Sequence, residues 1–138
     1  MRPTKTEYYL GIAEAVAKRS TCLRRQYGAV IVKDDEIIST GYNGAPRGEI
    51  NCCDCGICER ARQNVPHGER YELCRSVHAE ANAIISARRA DMMGATLYLV
   101  GLEDGKRIDA RPCDMCRRLI KNAGLIVISK CGNTCTLD

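Results

Sequence analysis

The chain has 138 residues, 45% hydrophobic and 28% charged, which suits one packed domain over 1–138 and excludes a disordered chain. Its only aromatics are six tyrosines, which excludes a base-stacking sheet of the RNA-recognition type. The formal charge of +4 is scattered, so no nucleic-acid stripe is expected, while a small anionic ligand is compatible with it. The opening MRPTKTEYYL lacks an apolar signal region, and no later run is long enough for a bilayer. A cytoplasmic protein with no membrane partner is therefore expected. In a reducing compartment, ten cysteines point to metal ligation or redox chemistry rather than disulfides.

Taken in chain order, Tyr9, Ile12, Ala13 and Val16 recur at helical spacing and predict an amphipathic helix from Thr6 to about Lys18. Ala29–Val32 and Glu36–Thr40 are strand-like and joined by the polar turn Lys33-Asp34-Asp35, which predicts a hairpin. Gly41 to Gly48 (GYNGAPRG) reads as a loop. Residues 49–75 carry cysteines and little periodicity, so this stretch reads as an insertion ordered by metal rather than by a hydrophobic core.

A second helix is predicted from Ser76, as its cap, to Arg89, with Ala79, Ala83, Ile84 and Ala87 on an apolar stripe. Ala95–Val100 reads as a strand, and Gly101–Arg111 as a polar loop bordering whatever site follows it. Pro112 opens a third helix reaching Ala123, with Gly124 just past its end. Leu125–Ser129 is almost wholly apolar, as in a strand covered on both faces. This order predicts an α/β sandwich with a mixed sheet whose later strands are parallel. No role follows from the sequence for Cys131 and Cys135 in the tail.

Two short pieces carry chemistry. His78-Ala79-Glu80 and Pro112-Cys113-Asp114-Met115-Cys116, each placed at a helix start, match the H-x-E and P-C-x-x-C signature of zinc deaminases. Cys113 and Cys116, three residues apart on a helix, can share one tetrahedral ion with His78. A helix N-terminus favours thiolate over thiol. Three protein ligands leave a fourth position for water, whose pKa zinc lowers to about 7. Glu80, two residues from His78, points away from the metal ligand and can take that water's proton, pass it to a ring nitrogen and serve the leaving amine.

The stretches Ser20-Thr21-Cys22, Gly28–Val32, Gly41–Gly48, Cys74–Ile84, Pro112–Cys116 and Asn122-Ala123-Gly124 resemble the deoxycytidylate deaminases of the cytidine deaminase-like superfamily. The GYNGAPRG stretch discriminates best, because the two zinc motifs run through the superfamily. The resemblance implies a three-layer α/β/α sandwich with a mixed central sheet and hydrolysis of dCMP to dUMP and ammonia. It places Asn43 on the pyrimidine or sugar, Ala79 beside the substrate and Arg24 on the 5′-phosphate, which a guanidinium can grip bidentately. It also implies a second, structural zinc held by Cys22, Cys52, Cys74 and Cys58. His67 could replace Cys58, and Cys53 and Cys55 stand close enough in sequence to serve as well. A homo-oligomer with dCTP and dTTP as effectors is the family's habit. The competing functions are a cytidine or deoxycytidine deaminase, a tRNA adenosine deaminase, and a zinc-ordered nucleotide-binding module without catalysis. Glu80 argues against the last, since a non-catalytic site has no use for a carboxylate beside the metal.

Overall fold

The computed structural model describes residues 1–49 and 76–129, together with the backbone of 134–135. Helix α1 (Lys5–Ala17) is capped by Thr4, whose hydroxyl accepts from the Glu7 N–H at 3.2 Å. Its buried stripe is Tyr9, Leu10, Ala13 and Ala17, with the expected Ile12 and Val16 packed along the margin. Strands β1 (Gln26–Lys33) and β2 (Glu36–Tyr42) form the expected hairpin. Its turn residues Asp34 and Asp35 both adopt positive φ, 52° and 62°, the conformation whose twist matches paired strands. Gly41 and Tyr42, expected in a loop, still belong to β2.

Strand β3 (Thr96–Glu103) pairs antiparallel with β1 along its length. The expected polar loop over 101–111 is instead a second hairpin: β3 continues to Glu103, Asp104-Gly105 turns, and β4 (Lys106–Ile108) returns along β3. Asp-Gly is a strong local hairpin signal, here closed by the Glu103–Lys106 pair, and both turn residues have positive φ. Helix α4 (Asp114–Ala123) then crosses over to β5 (Ile126–Ile128), which lies parallel to β3, and the short β6 (Thr134–Cys135) pairs antiparallel with β5. The order β2-β1-β3-β5-β6 makes a mixed sheet.

Alternation along β1 and β3 divides the core into two. Val30, Val32, Tyr98, Val100 and Leu102 face α1, and Ala29, Ile31, Leu97 and Leu99 face the opposite layer, with helix α2 (Ala79–Ile85) and α4. The result is a three-layer α/β/α sandwich. Between α2 and β3 the short helix α3 (Arg89–Met92) buries Met92.

Three sequence expectations shift for tertiary reasons. The helix predicted from Ser76 to Arg89 begins only at Ala79, because Val77 is held extended by a two-way bridge to Gly44 at 2.7 and 3.2 Å. It ends at Ser86, and α3 is separate. Pro112 precedes the third helix rather than opening it: Cys113 is the N-cap, and Gly124 closes the helix in the left-handed conformation at φ 81°. The strand expected over Leu125–Ser129 is shorter and covered unevenly. Ile126 is 53% exposed, since α1 lies over β1, β2 and β3. Cys52, Cys53, Cys55, Cys58, His67, Cys74 and Cys131 lie outside the described residues, as does all of the expected insertion except Glu49. Among the described residues, no helix is long and apolar enough to cross a membrane.

Candidate metal and active site

Two helix N-termini converge on the side of the sheet opposite α1. The bridge between Val77 and Gly44 delivers the next residue, His78, to the N-cap of α2. Cys113 caps α4, its Sγ accepting the Cys116 N–H at 3.5 Å, and Cys116 is buried in the first turn. His78 Nδ1 lies 3.4 Å from the Sγ of Cys113 and 3.4 Å from that of Cys116. All three donor atoms fall within 4.8 Å of one another. Ligand bonds of about 2.3 Å to sulfur and 2.0–2.1 Å to nitrogen, at tetrahedral angles, set sulfur and nitrogen about 3.5 Å apart. The donors therefore already stand at the spacing zinc requires, and two thiols with one imidazole are a zinc donor set.

The protons at this site are shared. Cys113 is held down to about 4, chiefly by a hydrogen bond from Cys116, with help from His78 and from the Cys116 N–H, and against the effect of burial. Cys116, which donates that bond, is pushed up by it and by burial. One thiolate is thus available before any ion arrives, and a cation would stabilise the second.

Glu80 is 5% exposed in the first turn of α2. Burial raises its carboxyl above the usual carboxylate range, opposed by its own backbone N–H, by His78 and by a hydrogen bond with Cys116. A buried acid with a raised pKa beside a metal-binding cluster is suited to holding and releasing a proton.

The other expected site residues surround this centre more loosely. Ala79 is the first residue of α2 and fully buried. Asn43 follows β2 and is buried, but its side chain is turned to the backbone: Oδ1 accepts from the Tyr27 N–H at 2.8 Å, and Nδ2 donates to the Arg25 carbonyl at 3.0 Å. The Asn43 carbonyl also receives the Thr21 N–H at 3.3 Å and the Ser20 hydroxyl at 2.8 Å. Asn43 thus fastens the segment that carries Cys22, which is half-buried, and Arg24, which is exposed. The Asp104-Gly105 hairpin contributes too, since Ala110 on its return is buried in the same cluster as Cys116.

Sequence reasoning passed over Ser39, Gly41 and Asn82, which bind α2 to β2. Ser39 donates to the Ala83 carbonyl at 2.7 Å, and Asn82 Nδ2 to the Tyr42 carbonyl at 2.8 Å. The only sequence signal was a serine and a glycine at alternate positions of β2, on its inward face.

Residues 3–130 match the sequence profile of the cytidine and deoxycytidylate deaminase zinc-binding region. The chain is 43% identical over 128 residues to the deoxycytidylate deaminase of Mycobacterium phage D29, covering 90% of this chain and 91% of that protein. It is 36% identical over 125 residues to the deoxycytidylate deaminase of Schizosaccharomyces pombe, covering 90% of this chain but 36% of that protein's length. Among solved structures, the dCMP deaminase of cyanophage S-TIM5 in complex with dCMP and dUMP is similar with a TM-score of 0.64 and 28% identity, over 94% of this chain and 82% of that one.

Proposed function

Because the chain belongs to the cytidine and deoxycytidylate deaminase zinc-binding family, we propose that it hydrolyses dCMP to dUMP and ammonia as a single zinc-dependent domain. The observation that carries this is the convergence of His78, Cys113 and Cys116 at zinc spacing with the buried acid Glu80 beside them. His78, Cys113 and Cys116 would hold the ion, which when bound supplies a Lewis acid able to bring the pKa of water to about 7.

Glu80 does the proton work. Its carboxylate takes a proton from the attacking water and gives it to the ring nitrogen next to the reacting carbon. It then carries the water's second proton to the amine, so that the carbon–nitrogen bond breaks, a carbonyl forms and ammonia leaves. Burial of Glu80 supports this role by keeping the shuttle out of exchange with bulk water. Arg24 grips the 5′-phosphate from its exposed position, and Asn43 offers its remaining amide hydrogen to the pyrimidine or sugar. Ala79 lines the pocket at the start of α2, where its backbone N–H stands outside the helical ladder.

The same reading extends to a second, structural zinc on Cys22, Cys52, Cys74 and either Cys58 or His67. It also extends to a cytoplasmic homo-oligomer that responds to dCTP and dTTP. Metal content of two zinc ions per chain would support the first, and size exclusion with and without dCTP tests the second.

The deciding experiment is ultraviolet-monitored deamination by zinc-loaded protein, with dCMP, CMP, deoxycytidine and cytidine side by side. Preferential turnover of dCMP is expected, and nucleosides reacting equally well would overturn the phosphate-reading assignment. Charge reversal by Arg24→Glu should raise KM for dCMP roughly 10- to 100-fold, the loss of one charge-assisted contact, and leave deoxycytidine turnover unchanged.

A further inference from the structure

His78 and Glu80 come from one helix and the two thiols from another, so the site works only if α2 is held at one depth and one rotation relative to α4. Helix α2 has seven residues and no side-chain hydrogen bond at its N-cap, so its own stability cannot set that position. We infer that the contact of β2 with α2 at Gly41, Ser39 and Asn82 is a positioning device that sets Glu80 and His78 against Cys113 and Cys116. This rests on the zinc-deaminase reading above.

The contact is backbone against backbone. A β-carbon at Gly41 would stand 2.4 Å from the Ala83 nitrogen and 2.5 Å from the Ala79 carbonyl oxygen, neither of which can swing aside. The helix can sit this deep only because residue 41 has no side chain, and because Ala79 and Ala83 present little bulk of their own. Two residues back on the same face of β2, Ser39 ties its hydroxyl to the Ala83 carbonyl at 2.7 Å in a buried setting. From the helix side, Asn82 ties its amide to the Tyr42 carbonyl at 2.8 Å. The steric contact at Gly41 sets the depth of α2, and the two hydrogen bonds, one donated from each element, tie it to its place along β2. The bridge from Gly44 to Val77 then fixes the direction in which the chain reaches His78.

The opposite face supplies a control built into the molecule. A β-carbon at Gly28 would stand 2.1 Å from the Ala13 carbonyl oxygen and 2.5 Å from the Ala17 nitrogen, so α1 is seated on β1 as closely as α2 is on β2. Yet α1 contributes none of the groups at the site. Equal steric insults at Gly41 and Gly28 therefore separate positioning from mere packing.

The test compares Gly41→Ala, Asn82→Ala and Gly28→Ala with the unaltered chain. Zinc affinity is read by competition with a chromophoric chelator, the visible spectrum by cobalt substitution, and kcat and KM for dCMP at saturating zinc. Gly41→Ala and Asn82→Ala should weaken zinc binding about 10- to 100-fold and alter the cobalt spectrum, as loss of a ligand's support does. For Gly41→Ala, kcat at full occupancy should fall on the order of 100-fold with KM changed far less, as expected for a displaced reacting group. Gly28→Ala should lower Tm and leave zinc affinity, cobalt spectrum and kcat per folded molecule unchanged. Folded Gly41→Ala with the original zinc affinity and cobalt spectrum would overturn the inference, as would equal losses in Gly28→Ala. If Gly41→Ala does not fold, Asn82→Ala decides by the same readouts, since it removes a single hydrogen bond. The zinc and cobalt measurements need no substrate, so a chain inactive on dCMP would defeat the functional reading without touching this one.

Discussion

The two faces of the central sheet are built from the same strands and hold different things. Under α1 the packing is Leu10, Ala13, Ala17, Val30, Val32, Val100 and Leu102 with Tyr9 and Tyr98, an apolar layer with tyrosine hydroxyls at its rim. On the other side Ala29, Ile31, Leu97 and Leu99 play the same part, but Ser39, Glu80 and Cys116 are buried with them. Burying a carboxyl opposes folding, and the raised pKa of Glu80 is the trace of a cost that its hydrogen bonds to its own backbone N–H and to Cys116 only partly offset. The difference teaches that the α1 layer serves stability, while the α2/α4 layer gives up some stability to hold a reactive cluster dry and close.

The largest effects should come from breaking the reactive layer. Cys113→Ala should lose the metal and bring turnover to background, with zinc content by atomic absorption falling in parallel. Glu80→Gln should separate the two functions of the layer. It should keep zinc, lower kcat by roughly 10²–10⁴ because only the proton transfer is removed, and leave Tm no lower than before. A neutral amide is easier to bury than a carboxylate, so a marked fall in Tm for Glu80→Gln would mean that this carboxyl supports the fold, contrary to the comparison.

The mirror experiment lies under α1. Leu10 is fully buried in that layer, and Leu10→Ala should cost about 2–5 kcal/mol of stability, measured by urea denaturation. Zinc affinity and kcat per folded molecule should stay as they were. Loss of zinc affinity in this variant would show that the two layers are coupled through the sheet.

What the sequence disclosed follows the same division. The ligand motifs were legible because H-x-E and P-C-x-x-C are local patterns that need only a helix start to become geometry. The hairpin of β1 and β2 was legible for the same reason, and the hairpin at Asp104-Gly105 could have been, since its turn residues stood in plain sight. Other features depend on partners distant in sequence. The late start of α2 is imposed by Gly44 pairing with Val77. The exposure of Ile126 is set by how far α1 extends over the sheet. Gly41 and Gly28 reveal their purpose only once a helix lies on them. Asn43 read as a substrate contact, and the structure adds what no pattern carried: both ends of its amide fasten the backbone of Tyr27 and Arg25.

The smallest expected effect sharpens the contrast at the rim of the α1 layer. Asp35, in the turn between β1 and β2, accepts hydrogen bonds from the Tyr9 hydroxyl and from Lys5, the latter at 2.7 Å. The hydroxyl of Tyr9 is pushed up to about 12, first by its hydrogen bond to Asp35 and then by burial. The same contacts, that of Lys5 first, hold the Asp35 carboxyl below its ordinary range. The folded state therefore favours a protonated Tyr9, whose contribution is complete below the ordinary tyrosine value of about 10 and is lost as pH climbs towards 12. Asp35 acts in the opposite sense: its contribution is present above the ordinary aspartate value of about 3.9 and is lost as pH falls below it. Tyr9→Phe should cost about 1 kcal/mol at neutral pH, the worth of one hydrogen bond to a solvated carboxylate. It should also flatten the alkaline decline of Tm, measured by calorimetry between neutral pH and the stability limit. Because Tyr9 belongs to α1, across the sheet from His78, the variant should bind zinc as tightly as the parent. An alkaline decline of unchanged steepness would remove Tyr9 as its source and point to the remaining tyrosine of that layer, Tyr98, whose hydroxyl burial also pushes up.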